Sequence, residues 1–174
     1  MLAGGETRGY TSGMKQRLKW AGIGLVVLLV GAQFFRPSYS NPESSVDNEF
    51  THKITVPPEI AQSLNQACGD CHSNQTVWPW YSKIAPLSWW IASHVKEGRR
   101  ELNLSEWTYS DDRIRRKLEA IAGEVKEGEM PPGYYLPMHA NARLTDAQKA
   151  AIVEWATAEL NRRGGPLPRR NRPH

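Results

Sequence analysis

The sequence predicts an all-α protein: one small helical domain preceded by a single apolar helix. Three observations predict it. Four segments between residues 57 and 161 carry helix start signals, helical apolar spacing, or both. Nothing strand-like precedes Cys68. One long apolar run, close to the N-terminus, stands apart from the rest.

Residues 1–17 are polar and glycine-containing, without an apolar period, and are expected to form a disordered cytoplasmic leader. Leu18 to Phe35 is the apolar run. Its 18 residues would span roughly 27 Å as a helix, just short of a ~30 Å hydrocarbon core. With Lys19 snorkelling and Trp20 at the interface, a transmembrane anchor is expected, its basic leader staying inside. The rival is a cleaved signal peptide, for which Val30-Gly31-Ala32 supplies small residues, but the run exceeds the usual apolar core of such a signal. Either reading exports the remainder of the chain.

Residues 36–56 hold Pro37, Asn41-Pro42 and Ser44-Ser45 and read as a flexible linker. Pro57-Pro58 opens a helix to about Cys68, with Ile60, Leu64 and Ala67 on one face. A second helix is expected over Leu87–Leu102, carrying His94, Arg99 and Arg100, and residues 103–107 interrupt it. Ser110 reads as the N-cap of a third, over Asp111–Glu127, with Ile114, Leu118, Ile121, Ala122 and Val125 as its buried stripe. Residues 128–139 are too rich in Pro and Gly to be helical. Thr145-Asp146-Ala147-Gln148 is a capping box for a last helix to about Asn161, which packs through Ile152, Trp155, Ala156 and Leu160. The domain therefore covers residues 57–162, and 163–174 form a basic disordered tail.

The formal charge of +4 is unevenly distributed. Residues 36–161 hold 13 bases against 17 acids, so the basic surplus belongs to the two ends. A nucleic-acid-binding face is not expected.

The chemistry is concentrated in Cys68-Gly69-Asp70-Cys71-His72, a C-x-x-C-H motif that reads as covalent attachment of a c-type haem. Thiols three positions apart lie about one helical turn from each other and can each join a different vinyl group, and His72 is carried beneath the iron as a ligand. A zinc site would need further Cys or closely spaced His, whereas His52, His94, His139 and His174 are scattered. A thioredoxin-like pair belongs in a βαβ context. Both cysteines lie in the motif, so no disulfide framework competes for them.

After the motif the sequence turns aromatic, with Trp78, Trp80, Tyr81, Trp89 and Trp90. Any one of these fills a core; together, Trp78, Trp80 and Trp89 are candidates to wall a macrocycle from water, each indole N–H needing a partner such as a propionate.

The order helix, C-x-x-C-H, Met-Pro loop and capped last helix resembles class I cytochrome c. More specifically, residues 67–74, Trp78-Pro79-Trp80-Tyr81-Ser82, Ile84-Ala85-Pro86, His94-Val95-Lys96-Glu97-Gly98-Arg99, Leu102-Asn103-Leu104-Ser105-Glu106-Trp107 and Glu129-Met130-Pro131 resemble the bacterial haem-binding domain family, over roughly residues 57–160. The resemblance implies one haem c, with its iron, held by Cys68, Cys71 and His72. It places Met130 in the sixth position, implies a propionate contact for Arg99, and puts the domain in the periplasm at a bacterial inner membrane. His94 on its helix is the rival ligand, then His139 or Met138. The function expected is electron transfer with redox partner proteins at the membrane. A haem-based gas or redox sensor with a displaceable sixth ligand is the alternative. Peroxidase chemistry is disfavoured, since no distal acid–base pair is evident beyond His94.

Overall fold

A computed structural model describes residues 7–168, and among them every regular element is helical. The α-helices are, in chain order, α1 (Thr7–Ala32), α2 (Phe50–Lys53), α3 (Pro58–His72), α4 (Leu87–Glu101), α5 (Asp111–Glu127) and α6 (Asp146–Arg162). The chain divides into two compact units. One contains residues 7–39 and 79–92, the other residues 40–78 and 93–168.

In the first unit, residues 7–17 continue α1 and are not the unstructured leader expected, while residues 1–6 of that leader lie outside the described part. The apolar residues of α1 are exposed on every side, Leu18 at 75% and Leu28 at 72%. The helix stops at Ala32, three residues before the expected end. Gln33 is the cause: its side-chain N–H donates to the Leu29 carbonyl (2.7 Å) and the Ala85 carbonyl (3.1 Å), and its Oε1 accepts the Ala85 N–H (3.0 Å). The helical apolar stretch from Leu18 to Ala32 is then only about 22 Å long. Among the described residues, no helix is long and apolar enough to cross a membrane, which corrects the expected Leu18–Phe35 transmembrane helix.

In the second unit, α5 packs along α6, and α6 on α3. The apolar stripes face one another as their periodicity requires: Ile60, Leu64 and Ala67 of α3, Ile114, Leu118, Ile121 and Val125 of α5, and Ile152, Trp155, Ala156 and Leu160 of α6 are all buried. Thr145 and Gln148 form the capping box reciprocally. Ser110 occupies the N-cap of α5 without a side-chain bond there, and Asp111 and Asp112 supply the negative charge that the helix N-terminus favours. α5 ends at Gly128, whose φ of 76° lets the backbone turn left-handed.

The expected linker is largely structured. Phe50 and Ile54 are buried at 2% and 5%, and Phe50 tilts against Trp107, which stands edge-on to Tyr109. Two backbone bonds fix it: the Phe50 N–H donates to the Leu104 carbonyl (2.9 Å) and the Trp107 N–H to the Asn48 carbonyl (2.7 Å). Burying two such side chains is worth roughly 3–6 kcal/mol. Of the expected tail, Arg163 is fixed by Glu159 and Asp111, and residues 169–174 lie outside the described part.

Candidate functional site

α3 continues through the whole of the C-x-x-C-H motif and ends at His72. Cys68, Cys71 and His72 therefore share the last turn of a helix anchored in the core one turn earlier by Leu64 and Ala67, and Cys68 packs against that core. Both thiols are free. Burial, helped by the charge of the neighbouring thiol, pushes Cys68 up to about 12; burial and the Asp70 carboxylate push Cys71 up to about 11, against a smaller lowering by Arg99. Both shifts run opposite to the lowered pKa that activates the thiol of a redox-active Cys pair.

The imidazole of His72 is aimed by the segment after α4. Its Nδ1 lies 3.1 Å from the Leu102 carbonyl, which fixes Nδ1 as the protonated nitrogen and leaves Nε2 with its lone pair free to ligate. Desolvation lowers the pKa of His72, the first of several causes, and keeps the ring neutral, as ligation requires. The same segment grips the backbone: the Leu104 N–H donates to the His72 carbonyl (2.7 Å), the Asn103 side chain to Asn74 Oδ1 (2.9 Å), and the Asn74 N–H to Ser105 Oγ (3.1 Å). Asn103 Oδ1 in turn accepts the Ser105 N–H, and the Asn103 N–H donates to the Tyr109 hydroxyl, both at 3.0 Å.

α4 reaches the motif through Gly98. A Cβ there would lie 2.5 Å from the Cys71 carbonyl oxygen, so only glycine lets the two helices approach this closely. One residue on, Arg99 points inward and Arg100 outward, where Arg100 pairs with Glu97 and Glu101. Arg99 makes four bonds, to the Ser73 carbonyl (2.8 Å), the Ser40 carbonyl (2.9 Å), Asn41 Oδ1 (2.8 Å) and Thr76 Oγ1 (2.8 Å). These use four of the five guanidinium N–H groups, two on the loop after the motif and two on Ser40 and Asn41.

Asp70, inside the motif, joins that loop to the Met-Pro segment. Its Oδ1 accepts the Val77 N–H (3.0 Å), its carbonyl accepts the Thr76 hydroxyl (2.7 Å), and its Oδ2 accepts the Tyr135 hydroxyl (2.6 Å). Tyr135 stacks on His139 at 3.7 Å, and His139 Nδ1 lies 3.1 Å from the Tyr135 carbonyl. Met130 begins this segment, half-buried, its N–H donating to the Glu124 carbonyl at the end of α5 (3.2 Å). Met138, in contrast, is 61% exposed. His94, one turn before Gly98 on α4 and so on the same face, meets Tyr134 edge-on at 6.0 Å.

Residues 27–158 match the model of a family described as haem-binding domain. The chain belongs to the haem-binding domain family. No curated protein and no solved structure matches it. The residues present fit a haem: two thiols and a neutral, oriented imidazole on one helical turn are the donor set that such a group takes. Among the described residues, no three His, Cys, Asp or Glu side chains gather as a cage for a bare metal ion, which leaves zinc without a site there.

In this haem-binding domain the expected tryptophans are not a single set. Trp78 is half-buried in the unit that contains the motif. Trp80 and Trp89 belong to the other unit, Trp80 being 70% exposed and Trp89 donating its one indole N–H to the Phe35 carbonyl (2.6 Å), not to a propionate. Sequence reasoning passed over Asp70, Gly98, Asn103, Ser105 and Tyr135 as site residues. The Leu102-to-Trp107 pattern was visible, but its role as a cradle for His72 was not.

Proposed function

We propose that this haem-binding domain is a monohaem c-type cytochrome, exported from the cytoplasm, that carries electrons between partner proteins at the membrane. The observation that carries the reading is the last turn of α3, where Cys68, Cys71 and a His72 aimed through Nδ1 at the Leu102 carbonyl stand together. When bound, the haem supplies a one-electron Fe(III)/Fe(II) couple. The chain's own contribution is to hold it by two thioethers, to ligate it through Nε2 of His72, and to present Met130 from the loop after α5. A thioether as sixth ligand raises the reduction potential and closes the iron to exogenous ligands. No catalytic residue is assigned, and the reading is of a carrier, not an enzyme. Export is supported by Lys15, Arg17 and Lys19 immediately before the apolar part of α1.

Four measurements test this. Haem should stay with the chain through denaturing electrophoresis, and Cys68→Ala with Cys71→Ala should abolish that retention. The oxidised holoprotein should show the sulfur-to-iron charge-transfer band in the far red, and Met130→Ala should remove it. Ready carbon monoxide binding by the unaltered ferrous protein would instead favour the gas-sensor reading. A reporter enzyme active only outside the cytoplasm, fused after residue 56, should be active.

A further inference from the structure

Outside the motif, an exposed apolar surface that the haem reading does not explain lies in the unit made of residues 7–39 and 79–92. A helix exposed to water normally has one polar face, yet α1 exposes apolar residues all round from Leu18 to Val30. The second segment continues this character. Trp80, Ile84, Leu87 and Trp90 are 41–70% exposed, and Phe34 and Phe35, at the end of α1, are 83% and 73% exposed. The two segments are clasped together by the reciprocal Gln33–Ala85 bonds, by the Tyr39 hydroxyl on the Ser82 carbonyl (3.0 Å), and by the Trp89 indole on the Phe35 carbonyl. The charge is one-sided: residues 7–39 and 79–92 contain Arg8, Lys15, Arg17, Lys19, Arg36 and Lys83, and no acid. The rest of the chain mixes both signs.

We propose that this unit seats on an anionic lipid bilayer, and that Trp80 to Trp90, some fifty residues beyond α1 in sequence, forms part of the seat. It rests on the membrane-side placement proposed above and adds a second contact to it. Tryptophans beside a lysine, with aliphatic side chains next to them, are the composition of a membrane–water interface, where indoles lie among the headgroups and bases meet lipid phosphates. A protein partner of ordinary composition would be expected to face some acidic residue of this unit with a base of its own, and the described part offers none. The seat also explains how an apolar helix too short to cross can still be accommodated: its exposed surface is extended by the second segment and need not be buried by α1 alone.

The test uses the full-length holoprotein with vesicles of phosphatidylethanolamine and phosphatidylglycerol, the latter carrying a diazirine on its acyl chain. After irradiation, lipid adducts are expected on peptides covering residues 18–35 and also residues 79–92, with α5 and α6 unlabelled. Replacing phosphatidylglycerol by phosphatidylcholine that carries the same diazirine should reduce both. Trp80→Ser with Trp90→Ser should lower the adducts on 79–92 about threefold while leaving 18–35 unchanged. Adducts confined to 18–35 overturn the inference and leave the membrane placement standing. Adducts on neither segment overturn both. Residues 79–92 cross-linked to a second copy, without lipid adducts, assign the surface to self-association and overturn the inference.

Discussion

The two segments that flank the attachment motif are held very differently. Leu102 to Ser105 grips residues 72–74 by backbone and side-chain bonds at four points, backed by Phe50 and Trp107 in the core. The segment from Met130 to His139 is tied to the motif through the Tyr135 hydroxyl on Asp70, and leaves Tyr134 and Met138 more than half exposed. The difference teaches that the His72 side is built as a fixed platform, whereas the Met130 side is positioned largely by side chains at its surface. In the proposed carrier, the ligand most open to adjustment would therefore be the one on the Met130 side.

The strongest way to break the contrast is to loosen the platform from behind. Phe50→Ala should cost about 3–5 kcal/mol, the range for emptying a buried aromatic site, and should lower the denaturation midpoint of the holoprotein while its sixth-ligand band persists in the native state. Gly98→Ala places a methyl group 2.5 Å from the Cys71 carbonyl oxygen and should cost about 1–3 kcal/mol, with a changed haem optical spectrum because α4 must retreat from the motif. Arg99→Ala removes two bonds to the loop after the motif and two to Ser40 and Asn41, and should cost about 1–2 kcal/mol, seen as faster proteolysis within residues 73–77. Tyr135→Phe is the smallest change in stability, about 1 kcal/mol, but it sharpens the comparison most. It should raise the rate at which carbon monoxide displaces the sixth ligand, and Phe50→Ala should not.

What could be read from the sequence obeys a physical rule. The stripes of α3, α5 and α6 were legible because each buried residue repeats with the helical period, and the C-x-x-C-H motif because its spacing is itself the chemistry. Phe50 was missed because a lone aromatic among Pro, Ser and charges has no period, and only a tertiary partner such as Trp107 reveals that it is buried. The His72 platform was missed because its acceptors are main-chain carbonyls, which every residue possesses. The carbonyl and hydroxyl partners of Arg99 were not legible either, because main-chain carbonyls and scattered hydroxyls carry no pattern in sequence. Gln33 ended α1 early for a similar reason: its amide finds a partner at Ala85, 52 residues away.

The bond from His72 to Leu102 also has a consequence in time. Thirty residues separate the two, so a growing chain presents the motif well before the carbonyl that aligns its imidazole has been made. In the folded chain burial pushes the Cys68 thiol up to about 12, which makes its sulfur a poorer nucleophile. For the covalent attachment proposed above, loading would thus be easiest on the nascent or unfolded chain, with folding acting afterwards as the latch.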